Sequence, residues 1–406
     1  MKRLWWIGSV LLLGLVSCHV GRFFIYNFAD VRDHKKFPSR PLKAAPVPFQ
    51  FVGITPGHSV QLPKSFGYKG RDLSLPQMLD RSGTEAFLII RNDTILYEWY
   101  AKDEKIIVPS FSMAKSFISA LIGIAIDEGK IKSTSEPITN YLAFKDNKKF
   151  EGITIQHLLD MQSGIKYNES YINPFGDVAK YYYGRHLKKY ARHLKIKVPP
   201  GADFEYISLN TQLLGLILEK ACGTTMTAYL QEKIWTPLGM EYDASWSIDS
   251  KKHGTEKAFC CINARARDFA RFGRLYLKEG NWNGKQVVSK NWVKQSVEFT
   301  EPKNYFLYSN QWWHTRTFHP AEDTVKLKKP WKIYYADDKG QKKPYVVCPS
   351  GDYFAEGHLG QFIYVAPEKN TIFVRLGSDK IAMNWSYLFM NIAHNTLKNN
   401  QTHNEQ

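Results

Sequence analysis

Two hairpin signals at opposite ends of the chain constrain its fold more than any other feature. Phe87-Leu-Ile-Ile90 and Thr94–Tyr100 are β-branched and aromatic runs around Arg91-Asn92-Asp93, a turn composition. Gln361–Val365 and Thr371–Leu376 repeat the arrangement around Pro367–Asn370. Between them the pattern is helical. The spacing predicts helices over Ser112–Glu128, ending at Gly129, and over Ile155–Met161, ended by Gly164. Two more run over Asn210–Ala221, ended by Gly223, and Ala264–Leu277, stopped near Gly280. A last helix, Asn384–Leu397, precedes a polar tail. Strands at both ends with helices between predict an α+β fold. One antiparallel sheet is assembled from distant segments and flanked by helices, with an inserted, mostly helical subdomain.

At 406 residues and 44% hydrophobic content the chain buries a large core. It divides into residues 1–21, a signal, lipoprotein or membrane-anchor segment, and residues 22–80, an irregular lead-in rich in Pro, Gly and Lys that wraps onto the body. The main domain follows over residues 81–397, and residues 398–406 form a flexible tail. The start is basic, Met1-Lys2-Arg3, and Leu4 to Gly21 carries no charge. Leu15-Val16-Ser17-Cys18 resembles a lipobox, which makes Cys18 a lipidation candidate. The competing reading is an uncleaved anchor, since eighteen uncharged residues just span a bilayer. Both readings take the chain out of the cytoplasm, to a bacterial periplasm or cell envelope, and hold it at the membrane through its N-terminus.

The net charge of +17 raises nucleic acid as a partner, but the lysines are scattered and no recognition module accompanies them. The densest run, Lys326–Lys332, reads as a solvated loop; anionic membrane surfaces or cell-wall polymers suit the charge better. Cys260 and Cys261 are adjacent, and neighbours do not readily bridge each other. Cys222 and Cys348 have no assigned partner. The chain has no CxxC or HExxH pattern, so a metal site has no support, and no cofactor is implied.

The chemistry centres on Ser112-Met-Ala-Lys115. The i, i+3 spacing puts the amine over the hydroxyl on one helical face, and the helix N-terminus favours a developing oxyanion. Lys115 becomes a base only if burial lowers its pKa, and Phe111, Met113, Phe117 and Ile118 supply that burial. The motif alone is weak, since about one chance match to S-x-x-K is expected in a chain this long. A second copy, Ser163-Gly-Ile-Lys166, follows a helix rather than opening one and reads as a helix stop. Tyr206-Ile-Ser208 offers a phenol that exchanges protons beside a cationic Lys, with a core aromatic as the plainer reading. Gly357-His358-Leu-Gly360-Gln361 precedes a strand. Its glycines admit close approach, and the Gln361 N–H is a candidate second oxyanion donor beside that of Ser112. The nearest match to a nucleophile elbow, Gly57-His-Ser59-Val-Gln61, lacks the final Gly, and no strong strand precedes it.

The ordered set Ser112-x-x-Lys115, Tyr206-x-Ser208 and His358-x-Gly360 resembles the three motifs of the penicillin-recognising serine hydrolases. It is most similar to the branch of class C β-lactamases, related esterases and 6-aminohexanoate-dimer hydrolases. Thr154–Gly164, Pro200-Gly201, Leu213–Gly215, Pro237–Met240 and Arg267–Leu277 resemble further family segments in the same order, so the likeness spans residues 80 to 380. It implies a β-lactamase/D-Ala-D-Ala-peptidase-like fold and an acyl-enzyme route. Ser112 attacks, Lys115 and Tyr206 shuttle the proton, and the N–H groups of Ser112 and Gln361 hold the oxyanion. Ser208 stands where many members carry Asn, and His358 where β-lactamases and transpeptidases carry the Lys that binds a substrate carboxylate.

A largely neutral His weakens that recognition, so the expectation is a hydrolase of small esters or amides. A cell-wall D-alanyl-D-alanine peptidase or β-lactamase, acting on peptide or lactam substrates, is the second reading. An acylated sensor or binding protein without turnover is the third. Trp312, Trp313 and Tyr181–Tyr183 are candidates to line an apolar pocket, or else core.

Overall fold

The computed structural model describes residues 19–53, 62, 65–68, 71–298, 307–320, 332–338, 341–381 and 383–396. Cys18 with the run before it, Gly57–Gln61, Lys326–Trp331 and the tail lie outside the described residues. The dominant element is an eight-stranded antiparallel sheet. From one edge its order is Tyr308–Ser309, Trp312–Pro320, Gln341–Gly357, Gln361–Ala366, Thr371–Gly377, Thr84–Arg91 and Thr94–Tyr100, with Lys332–Asp338 also paired to Gln341–Gly357. The two hairpins expected at the chain's ends therefore lie side by side. They join where Ile372 pairs with Ile90 and Val374 with Leu88.

Period-two alternation explains why this sheet is covered on both faces. Leu88, Ile90, Ile363, Val365 and Val374 belong to one apolar cluster, which also takes in the helices Ala114–Asp127, Ser208–Cys222 and Ala266–Leu277. Their neighbours Phe87, Ile89, Phe362, Tyr364 and Phe373 face the other way, onto Trp385 and Phe389 of the helix Trp385–Asn391. Helix ends follow the sequence signals: Ser208–Cys222 stops at Gly223, whose φ of 66° is left-handed.

The strands that escape the sequence reading include the long ones of this sheet, Trp312–Pro320, Lys332–Asp338 and Gln341–Gly357. The longest contains Pro344, Pro349 and Gly351, residues that ordinarily demote a strand. Pairing on both sides holds it, with a register shift opposite His314 and Arg316 absorbing the irregularity. The lead-in is also more regular than its composition predicts. It contains the helix His19–Tyr26, a strand Ser39–Leu42 paired with Ala244–Ser247, and the helix Leu75–Arg81 behind a Ser74–Gln77 capping box.

Candidate active site

Ser112 sits where a strand turns sharply into a deeply buried helix. Val108–Pro109 pairs with Asn263–Ala264. The Ser110 N–H donates to the Ile262 carbonyl (2.7 Å), and the Ile262 N–H donates back to the Ser110 hydroxyl (3.0 Å). Held there, the backbone passes through Phe111 at a φ of 43°, unusual for a bulky residue, and enters the 3-10 turn Phe111–Met113. The α-helix Ala114–Asp127 follows, buried from Ala114 to Ala125. Ser112 itself is half-buried at this junction.

One turn on, the Lys115 amine is enclosed, with its side chain 1% exposed. Its Nζ lies 3.0 Å from the Ser112 Oγ, 3.3 Å from the Ser208 Oγ and 3.0 Å from the Phe259 carbonyl oxygen. Burial lowers its pKa to about 8, against a smaller upward pull from the Glu169 carboxylate. A neutral amine at this point has two N–H donors for Ser208 and Phe259, and its lone pair then faces Ser112. The Phe259 carbonyl belongs to a fixed loop, because the Trp246 indole N–H lies 3.0 Å from both the Lys257 and Cys260 carbonyls.

That loop corrects one expectation. Cys260 and Cys261 are joined in a disulfide despite being neighbours. The left-handed Cys261, at a φ of 72°, turns its side chain toward that of Cys260, which an extended pair would not allow.

Ser208 opens the helix Ser208–Cys222, and its position depends on a residue the sequence reading missed. Glu169 accepts from the Ser208 N–H (2.8 Å), from the Ser208 hydroxyl (2.5 Å) and from the Tyr171 phenol (2.9 Å). A carboxylate here suits a helix N-terminus and ties the 169–171 loop to the lysine's partner. No motif marks Glu169; its one signal is a place between the Ser-Gly and Tyr-x-Ser segments.

Tyr206 stands with its ring over the Lys115 ammonium (5.1 Å) and stacks on Trp313 (5.5 Å). Burial raises its pKa, while a hydrogen bond with Ser112 pulls the other way, so the phenol keeps its proton at neutral pH. The tandem tryptophans divide: Trp312 is fully buried core, and Trp313 faces the site. The second S-x-x-K copy is structural, as expected. The buried Ser163 hydroxyl donates to Asn210 Oδ1 at 2.7 Å, and Gly164 turns at a φ of 68°.

The strand mouth Gly357–Gln361 closes against the Ser112 turn. A Cβ on Gly357 would lie 2.3 Å from the Ser110 carbonyl oxygen, so only glycine permits this approach. The Gln361 side chain fixes the strand, donating to the carbonyls of His358 (3.0 Å) and Gly377 (2.5 Å) and accepting from the Gly377 N–H. The buried Arg375 guanidinium binds the carbonyls of Leu359 (3.1 Å) and Gly360 (2.5 Å) and lies over the Trp385 ring. Gly360, at a φ of 75°, leaves no room for a Cβ beside that guanidinium. His358 stacks on Tyr171 with ring centroids 4.8 Å apart and meets Phe111 edge-on. Burial lowers its pKa, so it is neutral at pH 7.

The stacked pair Tyr171–His358 divides two spaces that both reach Ser112. One is an apolar cavity of about 230 Å³, walled by Phe111, Tyr182, Tyr183, Phe259 and Leu359 among others. The other is a polar cleft of about 540 Å³, which Tyr206 and Trp313 share with the carboxylates Glu356 and Asp379. Desolvation in that cleft, with Asp379 adding like charge, pushes the Glu356 carboxyl up to about 7. A larger hollow of about 730 Å³ between Tyr141–Phe144 and Lys188–Arg192 touches none of the motif residues. Among the described residues no cluster of His, Cys, Asp and Glu is placed to hold a metal ion.

The Beta-lactamase family model matches residues 75–383. The 6-aminohexanoate-dimer hydrolase of Paenarthrobacter ureafaciens is 29% identical over 266 residues, which is 59% of this chain and 67% of that protein. A solved Bacillus anthracis structure, provisionally assigned as a 6-aminohexanoate-dimer hydrolase, superposes with a TM-score of 0.66 at 22% identity, covering 90% of this chain and 92% of that one. A penicillin-binding protein from Bacillus halodurans superposes at 0.56 with 16% identity, covering 78% and 97%.

Proposed function

The chain belongs to the β-lactamase family and is a serine hydrolase, and from that premise we propose that it cleaves small esters or amides through an acyl-enzyme on Ser112. The observation that carries the reading is the buried Lys115 amine, 3.0 Å from the Ser112 hydroxyl and lowered toward neutral pH by its burial. In its neutral form Lys115 takes the Ser112 proton as Oγ attacks the substrate carbonyl carbon. The oxyanion accepts from the N–H groups of Ser112 and Gln361. Tyr206, protonated and beside Lys115, gives its proton to the departing oxygen or nitrogen as the carbonyl–heteroatom bond breaks, and is reprotonated from Lys115. Water, deprotonated by the same amine, then attacks the acyl carbon; the acyl–Oγ bond breaks, Lys115 returns the proton to the Ser112 oxygen, and the acid departs.

The two spaces support a division of the substrate. The acyl group lies in the apolar cavity and the leaving group in the polar cleft. A substrate carboxylate on the leaving-group side, as a peptidase or lactamase substrate carries, would meet Glu356, Asp379 and a neutral His358 rather than a cation. Neutral or cationic leaving groups fit better, and the cleft also accepts the amine product of an amide.

Location is part of the proposal. The basic start, the uncharged run Leu4–Gly21 and Cys18 support an exported protein held at the membrane by a lipid or an anchor. Among the described residues, no helix is long and apolar enough to cross a membrane.

The test is turnover of p-nitrophenyl acetate and of the matching anilide by wild type and Ser112→Ala. Sustained hydrolysis that the variant loses supports the reading. A single burst without turnover would point to the sensor, and equal rates in both proteins would remove Ser112 from the mechanism.

A further inference from the structure

Nine large hydrophobic side chains stand exposed among the described residues, and six of them fall in two short segments. Phe24, Ile25 and Phe28 are 69%, 56% and 51% exposed; Tyr171, Ile172 and Phe175 are 41%, 76% and 76% exposed. Scattered singly, such residues need no explanation, but a contiguous group does. These two segments meet at one place, because Phe28 with Ala29 and Tyr171 with Ile172 all line the apolar cavity beside Ser112. Phe23 anchors the first segment, packing edge-on against Phe24, Phe28 and Tyr183. The Arg22 guanidinium fixes the helix His19–Tyr26 to the Tyr183 carbonyl at 2.6 Å. Phe28, Tyr171 and Ile172 therefore edge the cavity, and Phe24, Ile25 and Phe175, exposed in the same two segments, extend that edge into an apolar rim.

We propose that this rim docks on a lipid surface, so that the acyl chain cleaved at Ser112 enters the cavity from the membrane while the polar headgroup occupies the acidic cleft. This rests on the acyl-enzyme reading above and names its substrate class: membrane-resident esters or amides of apolar acids whose leaving group is neutral or cationic. The occupant follows from the chain itself. The uncharged run beginning at Leu4 ends at Gly21, three residues before Phe24 in the chain, so a lipid that receives that run is near the rim in sequence. A net charge of +17 favours a surface containing anionic lipid. A soluble protein partner would meet the rim but would have no use for its opening onto a nucleophile.

The experiment uses the full chain bound to vesicles of phosphatidylcholine and phosphatidylglycerol. It compares p-nitrophenyl decanoate dissolved in the bilayer with p-nitrophenyl acetate in the water. The variant Phe24→Ser, Ile25→Ser, Phe175→Ser removes rim residues that do not line the cavity. The readout is the ratio of the two rates per bound enzyme, so a general loss of folded protein cancels. Loss of three apolar anchors should lower that ratio by about tenfold or more. An unchanged ratio would overturn the docking proposal, whether the rim meets a protein or nothing, as would a wild type that cleaves the acetate but ignores the embedded ester. Ser112→Ala tests the underlying reading separately: if it keeps both activities, the mechanism fails rather than the docking surface.

Discussion

Lys115 shows how far one side chain's environment decides its chemistry. An exposed lysine amine is protonated at neutral pH and accepts nothing. Fully enclosed, with its pKa lowered to about 8, a measurable fraction is free base near neutrality. Because the proposed route needs the neutral form, kcat/KM for ester hydrolysis should rise with pH and level off above a midpoint near 8. Glu169 opposes the shift, so Glu169→Gln removes a charge that favours the ammonium and should move the midpoint to lower pH. A pH–rate profile of the two proteins checks both points, and a midpoint that stays put would mean Glu169 acts only on Ser208 and Tyr171. Tyr206 shows the opposite case: burial raises its pKa and makes it a proton donor.

At the scale of elements, the site is the place where a strand mouth and a helix start are pressed together. The Ser112 turn is held by Ser110, and the strand Gln361–Ala366 by the Gln361 side chain and Arg375. Gly357 is the point of contact. Its Cβ-free backbone sets the distance between the two N–H groups assigned to the oxyanion. Gly357→Ala should therefore lower kcat by about 10²-fold with little change in KM, since the loss falls on a transition-state contact. Steady-state kinetics with a circular dichroism check of folding measures this, and a change confined to KM would place Gly357 in substrate binding instead.

At the scale of the molecule, the sheet separates two cores with different duties. One packs the helices that carry Ser112, Lys115 and Ser208; the other, around Phe389, covers the opposite face of the sheet, where Phe362 and Trp385 reach the polar cleft while Phe389 itself lines neither space beside Ser112. Phe389 is fully buried against Phe87, Phe362, Tyr364 and Phe373. Phe389→Ala should cost about 3–5 kcal/mol, from the lost burial and the cavity left behind. The urea midpoint would fall accordingly, while the activity of the protein that remains folded stays near wild type. A large drop in specific activity below the transition would show the two cores to be coupled.

Local pattern made much of this legible in advance. Both hairpins, the long helices with their glycine stops and the choice of Ser112 over Ser163 follow from alternation, turn residues and helix-start position, all encoded within short stretches. The long strand Gln341–Gly357 was not legible, because Pro344, Pro349 and Gly351 argue against a strand until the neighbouring strands supply the pairing. The Cys260–Cys261 bridge was hidden for a similar reason, since it depends on one left-handed residue that no composition announces. Glu169, Arg375, Glu356 and Asp379 lie in no motif, and they join the site only through contacts between residues distant in sequence. Ser112 and Lys115 are three residues apart, so the sequence by itself brought the proposed nucleophile and base together on one helical turn. The lysine's pKa, the neutral histidine and the two spaces on either side of Ser112 were decided by the tertiary structure, because burial and electrostatics depend on everything packed around a group.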